Sequence, residues 1–171
     1  AMVCDTAAVV ARAAADAAGR LTAAGVSPDA LGRFVPARRR LFGTRPPRIE
    51  RVGSAWVVGR LLVSVTGELF AATHTLRAHV PKPHINYPSE SARERDQLRH
   101  AAIRGGFREG ETVHWDAVPI IASELTDTSA PVLVLDGMPM VIWSASAPAA
   151  SAQPLPEYLD ARIELLLSVR S

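Results

Sequence analysis

An α+β fold is what this sequence predicts: one domain over residues 1–171, with a mainly antiparallel sheet of about four to six strands. The sheet is built from two hairpins and packed by an N-terminal, a central and a C-terminal helix. Three observations carry the prediction. Segments with helical apolar spacing stand at both ends and in the middle of the chain. Two strand-like apolar regions are each folded at a turn-forming dipeptide, and neither half of the sequence has the makings of a core by itself. A length of 171 residues suits one sizeable core and is short for two.

Residues 6–24, TAAVVARAAADAAGRLTAA, form the first predicted helix. Alanine loses no side-chain entropy there, and Val9, Val10, Ala13, Ala17 and Leu21 share a face. Asp5 or Thr6 caps its start and Gly25 ends it. SPDALGRF at 27–34 adds a short helical turn with Pro28 in an early position. Prolines and a run of arginines make residues 35–50 a loop or extended arm. AWVVGRLLVSV and ELFAATHTLRAHV then flank Thr66-Gly67 as one long hairpin, in which Ala55, Val57, Leu61 and Val63 belong to the more apolar face.

Residues 91–104 are the central helix, with Ser91 and Glu94 at capping-box spacing and Gly105-Gly106 as a stop that buries Phe107. A strand carrying Val113 and Trp115 follows. PVLVL, Asp136-Gly137 and MPMVIW make the second hairpin, whose return strand Pro139 assigns to an edge or to the residues after it. Trp115 and Trp143 read as packing residues. Residues 144–156 are a small-residue linker before a last helix, Glu157 to Val169, that packs through Leu159, Ile163, Leu166 and Leu167. A parallel nucleotide-binding sheet is disfavoured, because both strong β regions arrive as hairpins.

Composition narrows the function without naming a reaction. There is no Walker phosphate loop, no dinucleotide fingerprint, no His-Glu-x-x-His pair and no Gly-x-Ser-x-Gly elbow. The single cysteine, Cys4, rules out an intrachain disulfide framework and a cysteine-rich metal site. Apolar runs are interrupted before they reach membrane-spanning length, and the start lacks the basic region of a signal peptide. The expectation is a cytoplasmic protein with no membrane partner, no cofactor and no bound metal. Charge is graded along the chain: ten basic against four acidic residues in 1–60, seven against five in 61–110, and two against eight in 111–171.

The leading candidate is an anion or acidic-partner site in the strand–loop–helix stretch 77–99. Ser89 and Ser91 lie where free helix-start amides favour negative charge. Arg95 and Arg99, four residues apart, share a helix face and suit one acidic group. Arg77 and His79 end the preceding strand, and Asn86 and Tyr87 add hydrogen-bonding groups. Glu90, Glu94 and Asp96 are within reach of the same arginines, so internal pairing is the competing reading. One alternative is nonspecific nucleic-acid binding by Arg38, Arg39, Arg40, Arg45, Arg48 and Arg51, disfavoured by a total charge near zero. Another is a hydrolase-like or metal-dependent enzyme using His74, His79, His84 or His114. His74 and His79, an odd number of residues apart on a strand, point to opposite faces. Self-association through a sheet face or the C-terminal helix completes the set.

Overall fold

The computed structural model describes residues 4–82 and 86–170. It is α+β, with three helices, a mixed seven-stranded sheet and two small sheets. The helices are α1 (Thr6–Ala23), α2 (Glu90–Arg104) and α3 (Leu155–Ser168). The large sheet is ordered β7-β8-β1-β4-β5-β6-β9, where β1 is Asp29–Val35, β4 Arg48–Val58, β5 Leu61–Ser64, β6 Leu69–Ala71, β7 His74–Arg77, β8 Thr112–Trp115 and β9 Val118–Pro119. β2 (Arg38–Arg40) and β3 (Gly43–Arg45) form a separate hairpin; β10 (Val132–Leu135), β11 (Met138–Val141) and β12 (Gln153–Pro154) form the third sheet. The chain divides into two compact units. One holds the residues through Pro28, Ala55–Ala72 and everything from Val118; the other holds Asp29–Ser54 and Thr73–Ala117.

In the first unit, α1 buries Val10, Ala13, Ala14, Ala17, Ala18 and Leu21 in a core shared with Leu155, Leu159 and Ile163 of α3. Asp5 caps α1 by accepting from the Ala8 amide. The helix ends as expected at Gly25, with the Gly25 N–H on Thr22 O and the Val26 N–H on Leu21 O, a Schellman closure. Across the core lie Trp56, Val58, Leu61 and Val63. The predicted long hairpin is corrected here. β4 stops at Val58, and Gly59-Arg60 is a two-residue turn with Gly59 at φ 63°. That turn pairs Val58 with Leu61 and Trp56 with Val63. The buried set therefore changes parity at the turn, and Val57, expected on the core face, is exposed. No other residue fits at 59, because a Cβ would sit 2.1 Å from the Tyr158 hydroxyl. That hydroxyl accepts from the Arg60 amide, and the Arg60 guanidinium donates to Ile142 O at 2.7 Å.

Thr66-Gly67 does turn the chain, but only from β5 into β6. The second hairpin forms as read, β10 against β11, with Asp136 (φ 51°) and Gly137 (φ 78°) both left-handed as a type I′ turn requires. Pro139 is not on an edge strand: β11 is the middle of its sheet. β12, however, pairs only with Met140 and Val141, so the missing proline N–H is not called on. Gln153–Pro154 of β12 and a 3-10 turn at Ala149–Ser151 occupy the segment expected as linker. Trp143, expected to pack, is 53% exposed.

In the second unit, α2 packs Ala101 and Ala102 with Ala30, Ile49, Ala78, Phe107 and Val113. The predicted turn at 27–34 is instead β1, parallel to β8, with Ala30 opposite Val113 and Leu31 opposite His114. Its sequence hides this, because Gly32 is present for packing: a Cβ there would meet Ile49 at 2.5 Å and Val113 at 2.9 Å. The parallel neighbour makes the sheet mixed, and its seven strands exceed the four to six expected, although β4–β5, β5–β6, β6–β9 and β7–β8 all pair antiparallel. The stretch 35–50 expected as loop or arm carries the β2–β3 hairpin and the start of β4. α2 ends at Gly105 and Gly106 as read, with a second Schellman closure that buries Phe107. Its cap is Ser89, whose hydroxyl accepts from the Ala92 amide; Ser91 lies inside the helix, and its hydroxyl is 3.1 Å from that of Ser89. No helix among the described residues is long and apolar enough to cross a membrane.

Candidate functional site

β7 is an edge strand, and its register determines what that edge offers. The Ala78 amide bonds Glu111 O, and on the other side of β8 the Asp116 amide bonds Gly32 O. By alternation, His74 and Leu76 exchange backbone bonds with β8, while the amides and carbonyls of Thr75 and Arg77 face outward. α2 runs beside this edge. A hollow of about 330 Å³ lies between them, lined by Thr73–Leu76 of β7, by Arg95, Leu98 and Arg99 of α2, and by Trp115. A second hollow of about 440 Å³ adjoins it through the same two arginines, with His79, Lys82, Tyr87, Ala92 and Asp96 completing its wall.

The α2 carboxylates leave Arg95 and Arg99 alone. Among the described residues, neither guanidinium has a carboxylate or hydrogen-bond partner. Asp96, which the competing reading would pair with them, is buried and accepts instead from the Tyr87 hydroxyl. That hydrogen bond, reinforced by desolvation, raises the Tyr87 phenol above its ordinary value of 10.0. The His100 Nε2 comes within 3.3 Å of Asp96 without forming a hydrogen bond. Glu90 and Glu94 do not reach the arginines either.

The expected site residues are brought together in part. His79, Tyr87, Arg95 and Arg99 line the second hollow. Ser89 and Ser91 stand at the helix start, Asn86 is exposed, and Arg77 is exposed on β7 opposite Thr112, outside both linings. No family model, curated protein or solved structure matches the chain.

The histidines separate. His74 stacks on Trp115 with ring centroids 4.3 Å apart, and His79 Nδ1 lies 3.2 Å from Glu109. His84 lies outside the described residues. Among those described, no three His, Cys, Asp or Glu side chains are grouped to hold a metal ion. His114 is buried and occupies the middle of a chain of contacts. Thr75 Oγ1 is 2.8 Å from its Nδ1, and Asp29 Oδ2 is 2.9 Å from its Nε2. With Nε2–H donated to the carboxylate, Nδ1 accepts from the threonine hydroxyl. The non-hydrogen-bonded pairing of Thr75 with His114 across β7 and β8 makes this contact, since side chains approach most closely at such positions. Thr75 and Asp29 were missed by sequence reasoning, because neither strand register is written in a local motif.

Proposed function

We propose that this protein binds an acidic group, from a small carboxylate or phosphate or from an acidic partner segment, between the open edge of β7 and the Arg95–Arg99 face of α2. What carries the reading is a pair of arginines on one helix face over two adjoining hollows, unpartnered among the described residues. An arginine fork accepts a carboxylate or phosphate through two parallel hydrogen bonds. The outward Thr75 amide supplies a donor on the opposite wall. An extended acidic segment laid against β7 would use both walls, as peptides that add a strand to a sheet edge do. Titration of the 15N-labelled protein with inorganic phosphate and with succinate tests this. Amide shifts are expected at residues 73–77 and 92–99, and they should vanish in Arg95→Ala/Arg99→Ala while the remaining spectrum is preserved. Shifts unchanged in the double variant would sink the reading.

The Asp29–His114–Thr75 chain supports a second reading, acyl transfer at Thr75. The hydroxyl oxygen would bond to an ester carbonyl carbon, its proton passing to His114 and then to the departing alcohol; water would later release the acyl group. Exposure to p-nitrophenyl acetate should give a stoichiometric burst of p-nitrophenolate and an acetyl group on Thr75 by mass spectrometry, both lost in Thr75→Val. An acetyl group found only on other residues would rule it out.

A further inference from the structure

The β2–β3 hairpin carries side chains that folding leaves unused. Leu41 and Phe42, at its tip, are 92% and 96% exposed. Arg38, Arg39, Arg40 and Arg45 on its strands are exposed and, among the described residues, their guanidinium groups have no carboxylate or hydrogen-bond partner. No acidic residue occurs from Pro36 to Pro47. Other arginines of the same stretch behave differently: Arg48 is bound to Glu50, and Arg51 to Glu111. Register sharpens the contrast. Arg38 pairs directly with Arg45, and Arg40 follows two residues on, so three cations stand on one face of the ribbon while Arg39 stands with Thr44 on the other. Like charges placed opposite each other across strands oppose pairing. A short hairpin that keeps such a pair, with a leucine and a phenylalanine in water at its end, has a surface shaped by something other than its own stability.

We infer that this hairpin is a nucleic-acid-binding arm that enters a groove of duplex DNA, its arginines on the phosphates and Leu41 and Phe42 wedged against the bases. Two-stranded ribbons enter either groove, and apolar side chains inserted from the minor groove lodge between base steps, which is the mode a Leu-Phe tip suits. The arginines favour a groove over a bilayer. They are spread along the ribbon and over both its faces, where a groove presents phosphates on two walls; a membrane surface meets a hairpin end-on. Two apolar side chains also offer less hydrocarbon than the single acyl chain that already binds membranes only marginally.

The test is fluorescence anisotropy of a labelled 20-base-pair duplex with the full chain from 50 to 200 mM salt. Four phosphate contacts predict a slope of log Kobs against log[salt] of about −3.6, falling to about −0.9 in Arg38→Ala/Arg40→Ala/Arg45→Ala. Leu41→Ala/Phe42→Ala should weaken binding about tenfold at fixed salt and leave the slope in place. Because all these side chains are exposed, the variants should keep the wild-type circular dichroism spectrum. No retention of duplex at 50 mM salt, duplex binding unaffected by either variant, tighter binding to a single strand of the same sequence, or binding to phosphatidylserine vesicles in place of duplex would each overturn the assignment.

Discussion

Asp96 and Glu111 show how individual carboxylates set the chemistry around them. Asp96 turns inward to Tyr87, and among the described residues Arg95 and Arg99 have no carboxylate partner. Glu111 does the reverse: it accepts from the Arg51 guanidinium and, at 3.0 Å, from the Arg108 amide. Partial burial pushes its carboxyl up, but those two hydrogen bonds outweigh it and hold the group below its ordinary 4.5. A carboxyl with a lowered folded value stabilises the fold above its unfolded value, and the contribution disappears as pH falls through the folded one. Glu111→Gln should therefore lower stability by about 0.5–1 kcal/mol near neutral pH, the lower end being expected because Arg51 is half exposed. Urea denaturation of both proteins should show that gap closing as pH falls below the carboxyl's ordinary 4.5. A gap that persisted undiminished in acid would mean the substitution acts through packing and not through charge.

Among the elements, the helices were legible and the sheet was not. α1, α2 and α3 follow from apolar spacing, capping residues and glycine stops, all local in sequence, so their boundaries fall within a few residues of expectation. The β10–β11 hairpin was legible for the same reason, since Asp-Gly states its turn locally. β1 was not, because its partner β8 is remote and its small residues are explained only by Ile49 and Val113. Gly59 was misread as strand interior, since nothing nearby in sequence announces Tyr158. Gly19 within α1 and Gly105 at the end of α2 make the distinction measurable. At Gly19, in the exposed part of α1, an added methyl group would meet nothing within 4 Å, so Gly19→Ala should add about 0.5–1 kcal/mol through the entropy of the unfolded chain. A Cβ at Gly105 would lie 1.6 Å from Ile49 O, and Gly105→Ala should remove about 3 kcal/mol. Midpoints of urea unfolding shifted in the same direction for both would contradict this contrast.

At the scale of the molecule, the sequence named some of the residues that line the two hollows but not what the sheet contributes to them. Arg95 and Arg99 were visible as a four-residue spacing on a helix; that their hollow includes the outer edge of β7 required the strand order. The pairing of β7 with β8, and of β6 with β9, could not be read from turn chemistry, because in each case the partners are separated by long stretches of other structure. Those pairings also have a consequence for heredity. Ala71 lies opposite Val118 on β6 and β9, so the stretch Thr73–Ala117 departs and returns at neighbouring points. Surface loops of this stretch can be lengthened or trimmed provided that β8 keeps its register with β1 and α2 its packing on Ala30 and Ile49. Both walls of the hollow between β7 and α2 lie within that one stretch, whereas the Thr75–His114 contacts end on Asp29, which is carried by a different segment. The lining of the hollow can thus change within one continuous piece of the gene, whereas the Asp29–His114–Thr75 contacts require two separate pieces to stay matched.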